Sequence, residues 1–155
     1  MEDFRTIDEA LDFAIQREIE ANRFYLDMAG VVKNPVMCRV FEDFAKEELG
    51  HKSRLEALKN NNLTASNKNT PNKKILNLKI ADFIEDVEPG PDMSYQDALI
   101  IAMKREKASF RLYTDLAEVA TNQAQKDTFL LLAQEEAKHK LRFELEYDVV
   151  IFKEN

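Results

Sequence analysis

The feature that most constrains this chain is an internal repeat with a fixed spacing of 88 residues. Each copy contains a Glu, a Tyr seven residues later, and then a Glu-x-x-His sequence. The matched pairs are Glu18 and Glu106, Tyr25 and Tyr113, Glu48 and Glu136, and His51 and His139. The chain contains two histidines, and both belong to the repeat. Matches that share one spacing and include every histidine predict a duplicated structural unit.

Residue types that start helices repeat with the same spacing. Thr6 matches Ser94 and Asn34 matches Asn122, and all four are favoured at helix N-caps. Pro35 follows Asn34 directly, which suits the first position of a helix. The duplicated unit is therefore predicted to be a helical hairpin. The four predicted helices span about 6–32, 35–61, 94–120 and 122–153.

Each predicted helix carries a stripe of apolar residues with alternating spacings of three and four, which is typical of a helix that faces a bundle core. The repeated Glu and His residues lie within these stripes, at positions where an apolar residue is expected. The stripes consist of Ile7, Leu11, Ala14, Glu18, Ala21, Tyr25 and Ala29; of Phe41, Phe44, Glu48, His51, Leu55 and Leu58; of Leu99, Ala102, Glu106, Ser109, Tyr113 and Leu116; and of Phe129, Leu132, Glu136, His139 and Phe143. The pattern predicts that the polar members point into the core.

The two hairpins, at about 6–61 and 94–153, are separated by a connection at about 62–93. Its first part is rich in Asn, Lys, Ser and Thr, which indicates a solvated linker. Residues 75–87 are predicted to form a short amphipathic helix, which the following Pro-Gly-Pro sequence ends. A ferritin-like bundle explains so long a crossover. The predicted fold class is all-α, a ferritin-like four-helix bundle of two duplicated hairpins, forming a single domain over residues 1–155.

Composition excludes several other classes of protein. The net charge of −7, with no basic stripe, argues against a nucleic-acid partner. The longest apolar runs, such as 98–103, are too short to cross a membrane, and the acidic N-terminus does not resemble a signal peptide. The single cysteine, Cys38, cannot form an internal disulfide or a Cys-x-x-Cys iron site. We therefore expect a cytoplasmic protein in which Cys38 is a packing residue.

The repeated residues have the chemistry of a dinuclear metal site. Residues three apart on a helix face the same way, so each Glu-x-x-His sequence can bind one metal ion through adjacent turns. Glu48 and Glu136 would bridge two ions, His51 and His139 would each bind one, and the first Glu of each repeat would complete the set. Four carboxylates balance two divalent cations. This donor set suits iron or manganese, and zinc is an alternative. A lone Glu-x-x-His on an exposed helix would mean nothing, but the duplication favours the metal site.

Other residues near the motif have two interpretations each. Tyr25 and Tyr113 either orient a ligand carboxylate through a hydrogen bond or are ordinary core aromatics, and their repetition favours the orienting role. Glu47 and Glu135 flank the motifs but point about 100° away, so we expect surface charges there.

These motifs resemble those of the rubrerythrin family within the ferritin-like superfamily. The resemblance covers the four helices and depends on Glu18, Tyr25 and the sequence from Glu48 to His51, with their counterparts 88 residues later. It implies a non-haem di-iron centre that commonly reduces hydrogen peroxide with electrons from a rubredoxin-type centre. The sequence contains no such centre, so the expected electron donor is a separate protein or reductant.

The sequence also departs from the family pattern at one site position. Rubrerythrins place an additional Glu one turn after the third-helix ligand, where this chain has Ser109, and the equivalent residue in the first helix is Ala21. We therefore carry three hypotheses. The first is an oxidoreductase that reduces peroxide, the second an iron-binding or ferroxidase protein that reacts with dioxygen, and the third a bundle in which the metal only stabilises the fold. A homodimer is also expected, because such bundles often expose an apolar helix face.

Overall fold

The computed structural model describes Phe4, residues 6–62 and residues 93–154. This part of the chain forms four α-helices, α1 (Ile7–Val31), α2 (Pro35–Asn62), α3 (Tyr95–Val119) and α4 (Gln123–Glu154). Every helix end lies within one residue of its predicted position. The predicted connection, with its short helix at 75–87, lies outside the described residues except at its two ends.

The first helix of each hairpin begins as predicted, at a hydroxyl side chain. Thr6 Oγ1 accepts a hydrogen bond from the backbone N–H of Glu9 at 3.2 Å, and Ser94 Oγ accepts one from Asp97 at 3.1 Å. The acidic residues at these third positions also lie in the first turn, where the helix dipole favours negative charge.

The second helix of each hairpin begins at an Asn. Asn34 Oδ1 accepts from the N–H groups of Val36 at 2.9 Å and Met37 at 3.3 Å. Asn122 Oδ1 accepts from the N–H of Gln125 at 2.9 Å. These side chains satisfy backbone donors that the helix itself leaves without intrahelical partners. The caps therefore fix where each helix begins, and hence which residues face inward along it.

The chain divides into two compact units, one containing each hairpin. In the first unit α1 packs antiparallel to α2, and in the second α3 packs antiparallel to α4. The core of each hairpin is built from the predicted apolar stripes, with Leu11, Phe41 and Leu55 fully buried in the first and Leu99 and Phe129 in the second. The expectation that residues 1–155 form one domain stays a prediction. Among the described helices, none combines the length and apolar character needed to cross a membrane.

Candidate metal centre

The first hairpin brings three of the predicted ligands into contact. His51 Nδ1 lies 3.5 Å from Glu18 Oε2 on the neighbouring helix and 3.6 Å from Glu48 Oε1 on its own helix. Each of the three side chains offers one ligand atom, and these atoms lie within 4.8 Å of one another. All three residues are buried. Two carboxylates and one imidazole therefore converge on one point of this hairpin.

The second hairpin repeats this arrangement. His139 Nδ1 lies 3.4 Å from Glu106 Oε1 across the helix pair and 3.8 Å from Glu136 Oε1 one turn away. The ligand atoms of this group also lie within 4.8 Å of one another, and its residues are buried. The duplicated sequence thus produces a duplicated geometry, in which corresponding distances agree within a few tenths of an ångström.

Helix geometry explains why these side chains, and not their neighbours, point inward. Glu48 and His51 are three residues apart and share one face, whereas Glu47 is rotated by about 100° and is exposed. In the second hairpin Glu135 is half-buried beside the fully buried Glu136. Glu47 is therefore a surface charge, as predicted. Glu135, predicted to be a surface charge as well, lies at the edge of the core.

The burial of these six ionisable residues is the strongest indication of a ligand. None of their side chains is more than 3% exposed, although burying a charged group costs several kcal/mol unless opposite charge compensates it. Each hairpin holds two acidic side chains against one imidazole, so acidic groups outnumber basic ones in each cluster. A divalent cation would compensate the charge of ionised carboxylates, and mixed carboxylate and imidazole donors match the preferences of iron, manganese and zinc. The donor set therefore fits a metal ion.

The two predicted tyrosines lie in aromatic surroundings near these groups. Tyr25 and Tyr113 are each 1% exposed. The Tyr25 ring lies 5.6 Å from that of Phe24, 6.0 Å from Phe41 and 6.2 Å from Phe44. Tyr113 stacks on Phe129 with their ring centroids 6.5 Å apart. The packing fixes both rings, and the orienting role of the hydroxyls stays a prediction.

The positions of the additional family carboxylate are filled by small side chains. Ala21 in α1 and Ser109 in α3 are both half-buried, and each lies three residues after the first Glu of its hairpin. Each group of ligands therefore has no third carboxylate at this position of its own helix.

Each histidine is followed by a residue that forms an ion pair, which the sequence analysis did not predict. Lys52 Nζ lies 3.4 Å from Glu56, and Lys140 Nζ lies 2.6 Å from Glu144. Glu56 and Glu144 are 88 residues apart, as are Lys52 and Lys140. The repeat could therefore have indicated both ion pairs. These half-exposed pairs place charge one residue beyond each buried imidazole.

Cys38 does not belong to either group of ligands. Its thiol is half-buried and donates towards Ala29 O and Glu42 Oε1, both at 3.3 Å. The hydrogen bond to the Glu42 carboxylate raises the pKa of the thiol above its ordinary value. A thiol held in its protonated form is a poor nucleophile and a poor metal ligand.

Two solved structures share the fold of this chain. A hypothetical protein from Pyrococcus furiosus is 23% identical and matches with a TM-score of 0.74 over 94% of this chain and 90% of that one. A proposed ferritin-like diiron-carboxylate protein from Thermotoga maritima is 21% identical, with a TM-score of 0.75 over 96% of this chain and 98% of that one. At these identities the likeness shows the fold, and it confirms the predicted all-α, ferritin-like four-helix bundle.

The chain belongs to the rubrerythrin family, whose model matches residues 9–147. This match includes most of each of the four helices and confirms the resemblance inferred from the motifs. No match was found among proteins of curated function. Family membership and the buried Glu and His groups are compatible with a dinuclear metal site.

Proposed function

We propose that this protein is a non-haem di-iron oxidoreductase of rubrerythrin type, which reduces hydrogen peroxide with electrons from a separate donor. The observation that carries the proposal is the burial, in each hairpin, of a Glu in contact with the His of a Glu-x-x-His sequence. Membership of the rubrerythrin family supports the same chemistry.

The ligand roles follow from the position of each donor. Three donors from one hairpin fill only part of the coordination sphere of an iron ion, so we propose that the two groups together hold two ions. Glu18, Glu48 and His51 of the first hairpin, with Glu106, Glu136 and His139 of the second, would hold the two ions. Four carboxylates would then neutralise two divalent cations, which explains how so many acidic groups can be buried.

The protein would contribute position, charge and exclusion of water. With two ferrous ions bound, the site would supply the two electrons that, with two protons, convert one hydrogen peroxide molecule into two water molecules. The buried carboxylates would compensate the charge of the ions, and the surrounding apolar residues would keep bulk water away. Tyr25 and Tyr113 would hold ligand carboxylates in place through their hydroxyl groups.

The experiment is anaerobic loading with iron(II), followed by stopped-flow mixing with peroxide and, separately, with dioxygen. We expect iron oxidation, followed by absorbance, to be much faster with peroxide. The Glu48→Ala variant should lose the reaction together with its iron, whereas Glu47→Ala should keep both. A fully loaded protein that leaves peroxide untouched in the presence of a reductant would contradict the proposal.

The positions of Ala21 and Ser109 favour a second candidate, an iron-binding or ferroxidase protein. In rubrerythrins the additional carboxylate gives the iron an alternative ligand, and here a methyl group and a hydroxyl occupy those positions. Such a protein would be oxidised faster by dioxygen than by peroxide and would not turn over with a reductant. If iron oxidation in Ser109→Glu becomes faster with peroxide than with dioxygen, the missing carboxylate accounts for the difference between the two functions.

The partners and the location remain proposals. A rubredoxin-type protein is the expected electron donor, and peroxide or dioxygen is the expected oxidant. A homodimer and a cytoplasmic location remain predictions from the sequence. A stabilising zinc or manganese ion remains the alternative to iron, and metal analysis of the purified protein distinguishes these ions.

A further inference from the structure

A hydrogen bond joins the two helices of the first hairpin close to its ligands. Asn22 Nδ2 donates to the backbone carbonyl oxygen of Ala45 at 2.7 Å. Asn22 lies four residues, about one turn, after Glu18 on α1, and Ala45 lies three residues before Glu48 on α2. Because the helices run antiparallel, both steps lead in the same direction along the hairpin. The hydrogen bond therefore lies about one turn from Glu18 along α1 and rather less than two turns from His51 along α2.

This bond restrains the motion that would separate the ligands. A helix advances by about 5.4 Å per turn along its axis, so sliding α1 by one turn along α2 would break the 2.7 Å hydrogen bond between Asn22 and Ala45. The same slide would move Glu18 relative to His51, whose ligand atoms are 3.5 Å apart. The carbonyl oxygen of Ala45 has two lone pairs, so it can accept this bond in addition to its helical one.

The second hairpin cannot form this bond. The residue 88 positions after Asn22 is Phe110, which has no polar hydrogen to donate, and the counterpart of Ala45 is the buried Ala133. Two hydrogen bonds that do join α3 to α4 are those of Tyr95 with Glu146 and of Gln96 with Tyr147. These bonds lie about three turns from Glu106, so they restrain the far end of the hairpin.

We propose that Asn22 is a positioning residue, which fixes the register of α1 against α2 and makes the Glu18, Glu48 and His51 group the tighter-binding half of the metal centre. The inference rests on the proposed function, because it requires these residues to bind metal. Ligands that are already held in place lose less conformational freedom on binding, and they therefore bind more tightly. The first hairpin has this fixed point about one turn from Glu18, and Phe110 cannot supply its counterpart in the second hairpin.

Titration of the metal-free protein with Co²⁺, followed by absorbance and calorimetry, tests the proposal. We expect two binding steps of different affinity. The tighter step should disappear in His51→Ala and persist in His139→Ala, and the reverse result would overturn the proposal. Asn22→Leu should weaken the tighter step by about threefold to tenfold, the factor that one hydrogen bond supplies, and should leave the weaker step unchanged.

Two control variants separate positioning from general stability. Phe110→Leu changes the matching position of the second hairpin and should alter neither step. Thr6→Ala removes the N-cap of α1 and lowers the stability of the same hairpin far from the ligands, and it too should leave both affinities unchanged. The proposal is overturned if either control weakens Co²⁺ binding as much as Asn22→Leu does.

The titration also separates this inference from the proposed function. If the unmodified protein binds no Co²⁺, the metal centre itself is wrong. If it binds two ions and Asn22→Leu binds both as the unmodified protein does, the metal centre stands and the role of Asn22 is wrong. Hydrogen exchange of the metal-free protein adds a readout independent of metal, because Asn22→Leu should increase exchange near Glu18 more than near Glu106.

Discussion

The two hairpins share their inner faces and differ on their outer faces. Buried positions such as Ala14, Phe41 and Ala45 carry the same residue in the second copy, 88 positions later. The outer face of the second helix exposes more large apolar residues in the second hairpin than in the first. Glu42, Ser53, Ala57 and Asn61 of α2 correspond to the exposed Leu130, Leu141, Leu145 and Val149 of α4.

This difference shows which constraints preserve a duplicated structure. A buried position must keep both the volume of its side chain and, at the ligands, its donor atom, because a cavity or a lost donor is costly. An exposed position has no such requirement, and surface substitutions usually change stability by less than about 0.5 kcal/mol. The inner faces therefore retain the repeat, and the outer faces were free to diverge.

The contacts between helices have diverged as well. The first hairpin uses the Asn22 amide near the ligands and an ion pair between Lys59 and Asp12 further along. The Asp12 carboxylate raises the pKa of Lys59 by accepting its hydrogen bond. The second hairpin instead uses Tyr95 and its partner Glu146 at the start of α3. The same ligand geometry is thus supported by different polar contacts.

The largest predicted effect tests whether the two groups of ligands are equivalent. Glu48→Ala and Glu136→Ala each remove one buried carboxylate, and we expect each to lower metal affinity by more than about 100-fold. Metal content after dialysis is the measurement. Glu47→Ala and Glu135→Ala are the adjacent controls and should retain metal. If Glu136→Ala retains metal while Glu48→Ala loses it, Glu136 is not a ligand and the second group is wrongly assigned.

A second prediction compares the two cores. Phe41 and Phe129 are matched by the repeat and are both fully buried, so replacing either with Ala should cost about 3–5 kcal/mol of unfolding free energy. Denaturant unfolding followed by circular dichroism measures this loss. The exposed Leu26 provides a control, because Leu26→Ala should cost less than about 0.5 kcal/mol. A small loss at only one of the two Phe positions would show that the cores are not equivalent.

Most of the fold could be predicted from the sequence because it depends on local signals. The helix starts at Thr6, Asn34, Ser94 and Asn122 are determined by side chains that accept hydrogen bonds from the next turn. The inward-facing residues follow from helical periodicity. Only a few stripe members, such as Ala21 and Phe44, are half-buried instead of buried.

The contacts between helices could not be predicted in the same way. The hydrogen bond from Asn22 to Ala45 joins residues 23 apart and depends on the exact register of the two helices. No local spacing rule marks an Asn that will reach a particular carbonyl group. The exposed apolar residues of α4 were missed because the core periodicity identifies only one face of a helix. The repeat identifies residues that the two hairpins share. A residue that differs between them, such as Asn22, can be interpreted only when its contact on the neighbouring helix is known.

The smallest predicted effect concerns Tyr95, which belongs to the second hairpin alone. Burial and then the Glu146 carboxylate raise the pKa of Tyr95 above its ordinary value of 10.0, because both disfavour the ionised phenol. Tyr95→Phe removes the hydrogen bond and should cost about 1 kcal/mol at neutral pH. A raised pKa in the folded state contributes stability that is fully present below about pH 10 and is lost as the pH rises further. The stability difference between the unmodified protein and Tyr95→Phe should therefore shrink between about pH 10 and 11, measured by denaturant unfolding. Glu146→Gln keeps an acceptor oxygen but removes its charge, and should weaken this pH dependence. A constant difference across that range would show that the pKa of Tyr95 is not raised, and that this property does not distinguish the two hairpins.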